Sequence, residues 1–298
     1  MNGPTLLITG IHGLVGQYLF KILQSWKGPV IMTGKGVCRL PGSSFFYTEM
    51  DIADRKQVFD VFGRFSPQVV IHSAALAQPD YCELNREEAL IVNGGGTENL
   101  LEASAQTGAF FVHMSTDFVF SGSDGPYNES SEPSPINYYG LTKLLAEEKV
   151  RAYQFPWAII RTALVYGNVI VGTRPNMISW VKGELEKEKP IQVVSDQLRT
   201  TTYAGDLAGA VLKIAERKAE GIWHISGPDP LSPWEIAVAV ADHLNLDSSL
   251  ISKVDASIFS QPAVRPLKTP LIIDKAIHQL GYQPFSFEEG MKLVLQGN

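Results

Sequence analysis

The front half of the chain alternates short apolar runs with stretches of helical periodicity. Thr5–Thr9 (TLLIT) is a continuous apolar run ending at a glycine, the pattern of a strand buried on both faces. Leu14–Leu23 follows with helical spacing. Val30–Thr33 reads as a second strand and Phe45–Met50 as a third, closed by Asp51. Arg55–Phe65 is amphipathic, Val69–Ser73 (VVIHS) is a fourth strand, and Glu87–Thr107 is helical. Phe110–Ser115 (FFVHMS) is a fifth strand, a helix containing YYGLTKLLAEEK begins near Asn137, and Trp157–Thr162 (WAIIRT) is a sixth strand. Between the fifth strand and that helix, residues 122–137 are rich in Ser, Pro, Gly and Glu and read as loop. Strands alternating with helices predict an α/β protein whose parallel sheet is covered on both faces. Beyond Gly167 the alternation fails and prolines break up short elements, the pattern of a smaller unit packed onto the sheet.

Composition narrows the function classes. Over 298 residues, 45% hydrophobic and 19% charged content are those of a globular chain with a sizeable core. The net charge of −6 comes without a basic block, which disfavours nucleic acid and anionic membrane as partners. No apolar run approaches the roughly 20 residues of a membrane helix. Two cysteines, Cys38 and Cys82, make neither a disulfide framework nor a zinc site, and a reduced, cytoplasmic setting fits them best.

The first candidate chemistry is a glycine loop, Gly10-Ile11-His12-Gly13-Leu14-Val15-Gly16, between the first strand and the first helix. Gly10 permits a tight turn, Gly13 lets backbone N–H groups approach a pyrophosphate, and Gly16 lets the helix pack close to the sheet. The helix N-terminus adds partial positive charge for phosphates. This is the dinucleotide-binding arrangement of a Rossmann-type doubly wound sheet, expected here over 1–165 with a return of the chain near 200–227. A smaller C-terminal α/β substrate domain is expected over 166–298. At the end of the second strand stand Thr33-Gly34-Lys35-Gly36, with Arg39 behind and no acid adjacent in sequence. A carboxylate there would repel a 2′-phosphate, so NADP is favoured, with NAD as the alternative. Lys35 and Arg39 read equally as solvated loop residues. Asp51 and Ile52 lie where an adenine edge would rest, or Asp51 caps a helix.

Tyr139 and Lys143 are four residues apart on one helix face. A phenol titrates near pH 10, and a neighbouring ammonium stabilises its anion and brings it toward use as an acid–base group. The spacing is common by chance and becomes informative through its context. The fifth strand runs into Ser115-Thr116-Asp117, which puts hydroxyls at the sheet edge where ligands bind in such folds.

With these residues in place the chain resembles the extended short-chain dehydrogenase/reductases, and within them the dTDP-4-dehydrorhamnose reductase family. The stretches that carry the likeness are TGIHGLVG, VVIHSAA, VNGGGTENLLEA, HMSTDFVFSG, NYYGLTKLLAEE, RTALVYG and SDQLRTTTYAGDLA. The resemblance implies that Tyr139 is a general acid, that Lys143 binds the nicotinamide ribose and tunes Tyr139, and that Thr116, with Asp117 beside it, holds a sugar carbonyl. It implies that Gly10, Gly13 and Gly16 cradle the pyrophosphate. Ser73, Ala74 and Ala75 would line the cofactor, with Asn93 in support, and Ser115 belongs to the same cofactor-side group. The implied reaction is hydride transfer from NADPH to the C4 ketone of a nucleotide-linked 4-keto-6-deoxy sugar, and a homodimer is compatible with it.

The chain departs from that pattern at Leu164, where rhamnose-forming members usually carry Trp, and at Arg199, where a small or apolar residue is usual. Arg199 reads equally as a partner for a substrate phosphate and as a surface residue. Two other readings stay open: a nucleotide-sugar epimerase or dehydratase using the same Tyr/Lys pair, and a non-catalytic NADP-binding regulatory subunit. His12, His72, His113, His224, His243 and His278 show no ligand spacing and read as structural, so no metal site is assigned.

Overall fold

The computed structural model describes residues 3–41, 45–172 and 176–297. Its central sheet has seven parallel strands: β1 Leu6–Thr9, β2 Val30–Gly34, β3 Phe46–Glu49, β4 Val69–His72, β5 Phe110–Thr116, β6 Trp157–Thr162 and β7 Gly221–His224. Their spatial order is β7-β6-β5-β4-β1-β2-β3. The chain winds outward in both directions from β1 and β4, which leaves a crevice at their C-terminal ends.

The continuous apolar runs of the sequence follow from this position. The central strands bury alternate residues in two cores: Leu6 and Ile8 of β1 join one cluster and Leu7 the other. Phe110 and Val112 of β5 divide from Phe111 in the same way. Helices Leu14–Ile22 and Ala204–Arg217 cover the first face, and Arg55–Phe65, Gly96–Ala105 and Tyr138–Arg151 cover the second. The strand β7 adds a seventh member beyond the six that the sequence pattern marks; its GIWH run is only four residues long and follows the helix Ala204–Arg217.

The span read as one helix from Glu87 to Thr107 is instead three joined pieces, Arg86–Ala89, the π-helical Leu90–Gly95, and Gly96–Ala105. Periodicity cannot reveal a π turn because it adds one residue without changing composition. A third cluster, including Ile178, Val181, Ile191, Ile236, Val240 and Met291, lies outside the sheet. It is enclosed by helices Met177–Leu185, Pro233–Leu244 and Phe287–Leu295 and by a parallel pair of strands, Ile191–Val194 and Ile251–Val254. Capping boxes Ser232/Glu235 and Ser286/Glu289 start two of these helices.

The helix Tyr138–Arg151 is docked by a buried ion pair. Glu147 and Arg161 both have fully buried side chains. Arg161 donates from Nε to Glu147 Oε1 at 3.0 Å and from Nη2 to Oε2 at 2.7 Å. Ser115 of β5 donates to Oε1 at 2.6 Å. Removing one member strands the other, a loss of about 3–5 kcal/mol. Glu147→Gln is therefore expected to lower unfolding free energy by about that amount in urea titrations followed by circular dichroism. A paired Glu147→Leu/Arg161→Met variant should regain most of it; a double variant as unstable as the single one would refute the unpaired-charge account.

Candidate active site

The turn after β1 forms a backbone cradle. Gly10 has φ of 72°, and a Cβ on it would lie 2.6 Å from the backbone nitrogen of Ala74. A Cβ on Gly16 would lie 2.5 Å from the Gly10 carbonyl oxygen. Neither position admits a side chain, so the loop and the following helix press against the end of β4. Gly13 is the N-cap of Leu14–Ile22 and supplies no side-chain cap, so the first-turn N–H groups of the helix have no side-chain partner there. Ile11 is buried in the sheet core. His12 is buried too: its Nε2 accepts from Arg39 N at 3.2 Å, and burial followed by the Arg39 charge lowers its pKa. Leu14 and Val15 are half-buried against the same core.

Beside the cradle a cavity of about 190 Å³ brings together Gly10, Lys35, Asp51, Ile52, Ala74 and Ala75. Six residues proposed from separate parts of the sequence thus meet at one place. The expectation of no acid at the end of β2 requires correction. Lys35 Nζ pairs with Asp51 Oδ2 at 2.8 Å, and Gly36 N donates to Glu49 Oε1 at 3.1 Å. Both acids come from the next strand and its exit, so adjacency in sequence missed them. Asp51 is not the helix cap either: Asp54 accepts from Gln57 N at 3.1 Å, while Asp51 Oδ1 accepts from Ala53 N at 3.0 Å. Arg39 contributes its backbone to His12.

Ser73 Oγ donates to the Thr9 carbonyl at 2.6 Å, tying β4 to β1. Asn93, within the π turn, grips the chain after β4 by accepting from Leu76 N at 2.8 Å and donating to Leu76 O at 3.0 Å. It also donates to Thr142 Oγ1 at 3.0 Å, on the helix that carries Tyr139. Asn93 thereby joins the cofactor-side loop to that helix.

Tyr139 is 8% exposed, and the Thr116 hydroxyl lies close enough to it to lower its pKa. Phe118 meets its ring edge-on at 5.7 Å. Burial, and secondarily the Asp117 charge, pushes the phenol well above its ordinary pKa, against the Thr116 hydrogen bond. Lys143 is buried one turn along, and burial lowers its ammonium to about 8 against the charge of Glu147. Its Nζ donates to His113 Nε2 at 3.1 Å. Ser115 turns its hydroxyl to Glu147, so of the neighbouring hydroxyls it is Thr116 that stands beside Tyr139.

Asp117 is also buried. Thr269 Oγ1 donates to its Oδ2 at 2.5 Å, Thr116 Oγ1 to its Oδ1 at 3.2 Å, and Arg199 Nε lies 3.7 Å from Oδ2. Burial raises its pKa, opposed mainly by Arg199. Arg199 is accordingly no surface residue; its guanidinium sits 4.6 Å over the Phe118 ring and donates to Pro266 O at 3.3 Å. A second arginine escaped the sequence reading altogether. Arg265 holds Asp80 through 2.5 and 2.6 Å hydrogen bonds, across 185 residues. Nothing local in the sequence marks Arg265 or Thr269. Glu147, by contrast, carries a signal, since it stands four residues beyond Lys143 on the same face.

Leu164, the departure from the reductase pattern, has φ of 39° and accepts from Thr202 N at 3.2 Å. A larger cavity of about 800 Å³ lies between Leu14 and Gln78 on the sheet side and Gly167, Asn168 and Asn176 on the other.

Comparison with known proteins agrees with this geometry. The chain is 32% identical over 292 residues to the spore coat polysaccharide biosynthesis protein SpsK of Bacillus subtilis, covering 98% of this chain and 96% of that one. It is 33% identical over 252 residues to methionine adenosyltransferase 2 subunit beta of Xenopus tropicalis, covering 83% and 74%. The crystal structure of dTDP-4-dehydrorhamnose reductase from Bacillus anthracis in complex with NADP superposes with a TM-score of 0.84 at 26% identity, over 99% of each chain. The family model for the RmlD substrate binding domain matches residues 4–298, and the chain belongs to that family.

Proposed function

We propose that this chain is an NADPH-dependent oxidoreductase that reduces the C4 ketone of a nucleotide-linked 4-keto-6-deoxy sugar, with NAD as the alternative cofactor. The observation that carries this reading is the buried Tyr139 phenol beside the Thr116 hydroxyl, with the buried Lys143 one turn further along the same helix. The resemblance of the B. anthracis reductase, described with NADP, supports the choice of cofactor and reaction.

The residues present fit a dinucleotide. The first-turn N–H groups of the Leu14–Ile22 helix, which take no side-chain cap, suit a pyrophosphate, and the cavity bounded by Ile52, Ala74 and Ala75 suits an adenosine, with Lys35 at its rim. Bound there, the nicotinamide would supply the hydride. Tyr139 donates the proton to the carbonyl oxygen. Its raised pKa keeps it protonated throughout the neutral range, which suits an acid in the reductive direction. The Lys143 ammonium favours the phenolate that remains, and Thr116 offers a hydroxyl to the same carbonyl. We assign 166–298, apart from the return to the sheet near 200–227, to sugar-nucleotide binding, with the 800 Å³ cavity as its entrance.

A second reading is favoured by the similarity to methionine adenosyltransferase 2 subunit beta: a protein that binds NADP without turning over a sugar. NADPH oxidation measured with and without a dTDP-4-keto-6-deoxy sugar decides between them. Sugar-dependent oxidation supports the reductase; binding without oxidation supports the regulatory reading.

Tyr139→Phe should retain NADPH binding by fluorescence titration and lose about 10²–10⁴-fold in turnover. In the intact enzyme Lys143 is charged below about pH 8, so reduction should decline as pH rises through that value. Lys35→Ala should weaken NADPH about tenfold, the scale of a hydrogen bond to a charged group, while leaving NADH nearly unchanged in parallel titrations. Equal losses for both cofactors would remove Lys35 from 2′-phosphate recognition.

A further inference from the structure

The Tyr139/Lys143 pair rests on a polar row that crosses the interior of the sheet. Thr9 of β1, His72 of β4 and His113 of β5 occupy matching register positions, and all are buried. The hydrogen bonds assign their tautomers. Thr97 Oγ1 donates to Asn93 O at 2.6 Å, so at 3.1 Å it accepts from His72 Nε2. His72 Nδ1 is then the acceptor of the Thr9 hydroxyl at 2.9 Å, while Ala74 N donates to that hydroxyl oxygen at 3.2 Å. His72 is thus a neutral ring with both nitrogens used, and burial holds its pKa down to about 3.

His113 differs. An ammonium only donates, so the 3.1 Å contact with Lys143 Nζ makes His113 Nε2 an acceptor and leaves the proton on Nδ1. Nδ1 is buried without a partner. A buried donor left unpaired is costly, and the arrangement that leaves it so is the one that gives Lys143 an acceptor. Burial and the nearby Lys143 charge push the His113 pKa well below its ordinary value, so the ring stays neutral.

We propose that His113 is a positioning residue: its neutral imidazole accepts a hydrogen bond from the buried Lys143 ammonium and holds that charge on the inner side of Tyr139. This rests on the reading of Tyr139 and Lys143 given above. The alternatives around Lys143 are committed elsewhere. Glu147, on the same helix, is held by Arg161 of β6 and Ser115 of β5. His72 of β4 is satisfied by two threonines. Asp117 pairs with Thr269 and Arg199. The carboxylates that reach this helix from its outer neighbours are engaged at other positions: Glu83 accepts from Tyr138 N and Glu98 from Lys149. Cys82, beside Tyr139, donates to Leu76 O.

The position of β5 explains why a ring is needed. The strand backbone spends its hydrogen bonds on β4 and β6, so an acceptor for Lys143 must come from a side chain long enough to leave the strand. A neutral acceptor favours the ammonium by hydrogen bonding without introducing a competing negative charge that would oppose the phenolate.

The test reads Lys143 directly, in the full-length protein without cofactor, by ¹³C NMR titration of ε-labelled lysines with Lys143→Arg as the assignment control. His113→Phe should lower the Lys143 pKa by about one unit, the scale of one charge-assisted hydrogen bond. His113→Gln, whose amide oxygen reaches the place of Nε2, should restore it, and His113→Asn, whose shorter amide does not, should behave like Phe. If His113→Phe fails to fold, the Gln and Asn pair carries the comparison. An unchanged Lys143 titration in His113→Phe, or in His113→Asn, overturns the proposal, as does a Gln variant no better than Asn. In the turnover assay, the alkaline limb for the Phe or Asn variant should shift to lower pH by the same amount, whereas loss of packing alone would lower turnover equally at every pH. An NMR shift as expected in a protein that reduces no sugar would uphold His113 as the holder of Lys143 and defeat only the reductase reading.

Discussion

The face that the Tyr138–Arg151 helix turns to the sheet is set by one buried ion pair, and the remaining geometry of the site is measured from it. Glu147 lies two turns beyond Tyr139 and one beyond Lys143, so docking the carboxylate on Arg161 and Ser115 sets where the other two side chains emerge. An apolar contact at the same place would pack as well and cost less desolvation. It would also tolerate rotation of the helix, because dispersion contacts are not directional. Two hydrogen bonds between a carboxylate and a guanidinium are directional, and they hold the helix in one rotation.

The far side of the site is closed by residues from the end of the chain. Thr269 and Arg199 hold Asp117, Arg265 holds Asp80, and Asn137 donates to Val264 O at 2.8 Å. Each of these contacts joins the sheet to a segment that does not belong to it. The charge of Asp117 is thereby kept next to Arg199, which limits its influence on the phenol beside it.

Legibility followed the range of the forces involved. The alternation of strands and helices, the glycine loop and the Tyr/Lys spacing are local patterns, written by burial on two faces, by close backbone approach and by the helical repeat, and the structure shows each where the sequence pointed. The seventh strand was hidden because four residues of ordinary composition become a strand only by pairing with β6. Asp51 was named for the cofactor side but not as the partner of Lys35, since that pair exists only once β2 and β3 lie side by side. Thr269 and Arg265 were invisible for the same reason at longer range: their partners are 152 and 185 residues away.

The histidines show how a structural reading and a chemical one can coincide. His72 and His113 are buried and neutral, and among the described residues neither belongs to a metal-like grouping, as would hold for residues that merely fill a core. Yet a buried imidazole is never only filler, because its two nitrogens must each be paired or pay for desolvation. His72 meets that demand with two threonines. His113 meets half of it, and the nitrogen it does pair is turned to the buried Lys143 ammonium. Core formation alone would select an apolar side chain at that strand position, as it has at Phe111, two residues earlier on the same face of the strand. The polar choice, made against the cost of an unpaired donor, follows from the need to keep a charge inside the protein at a place where water does not reach it.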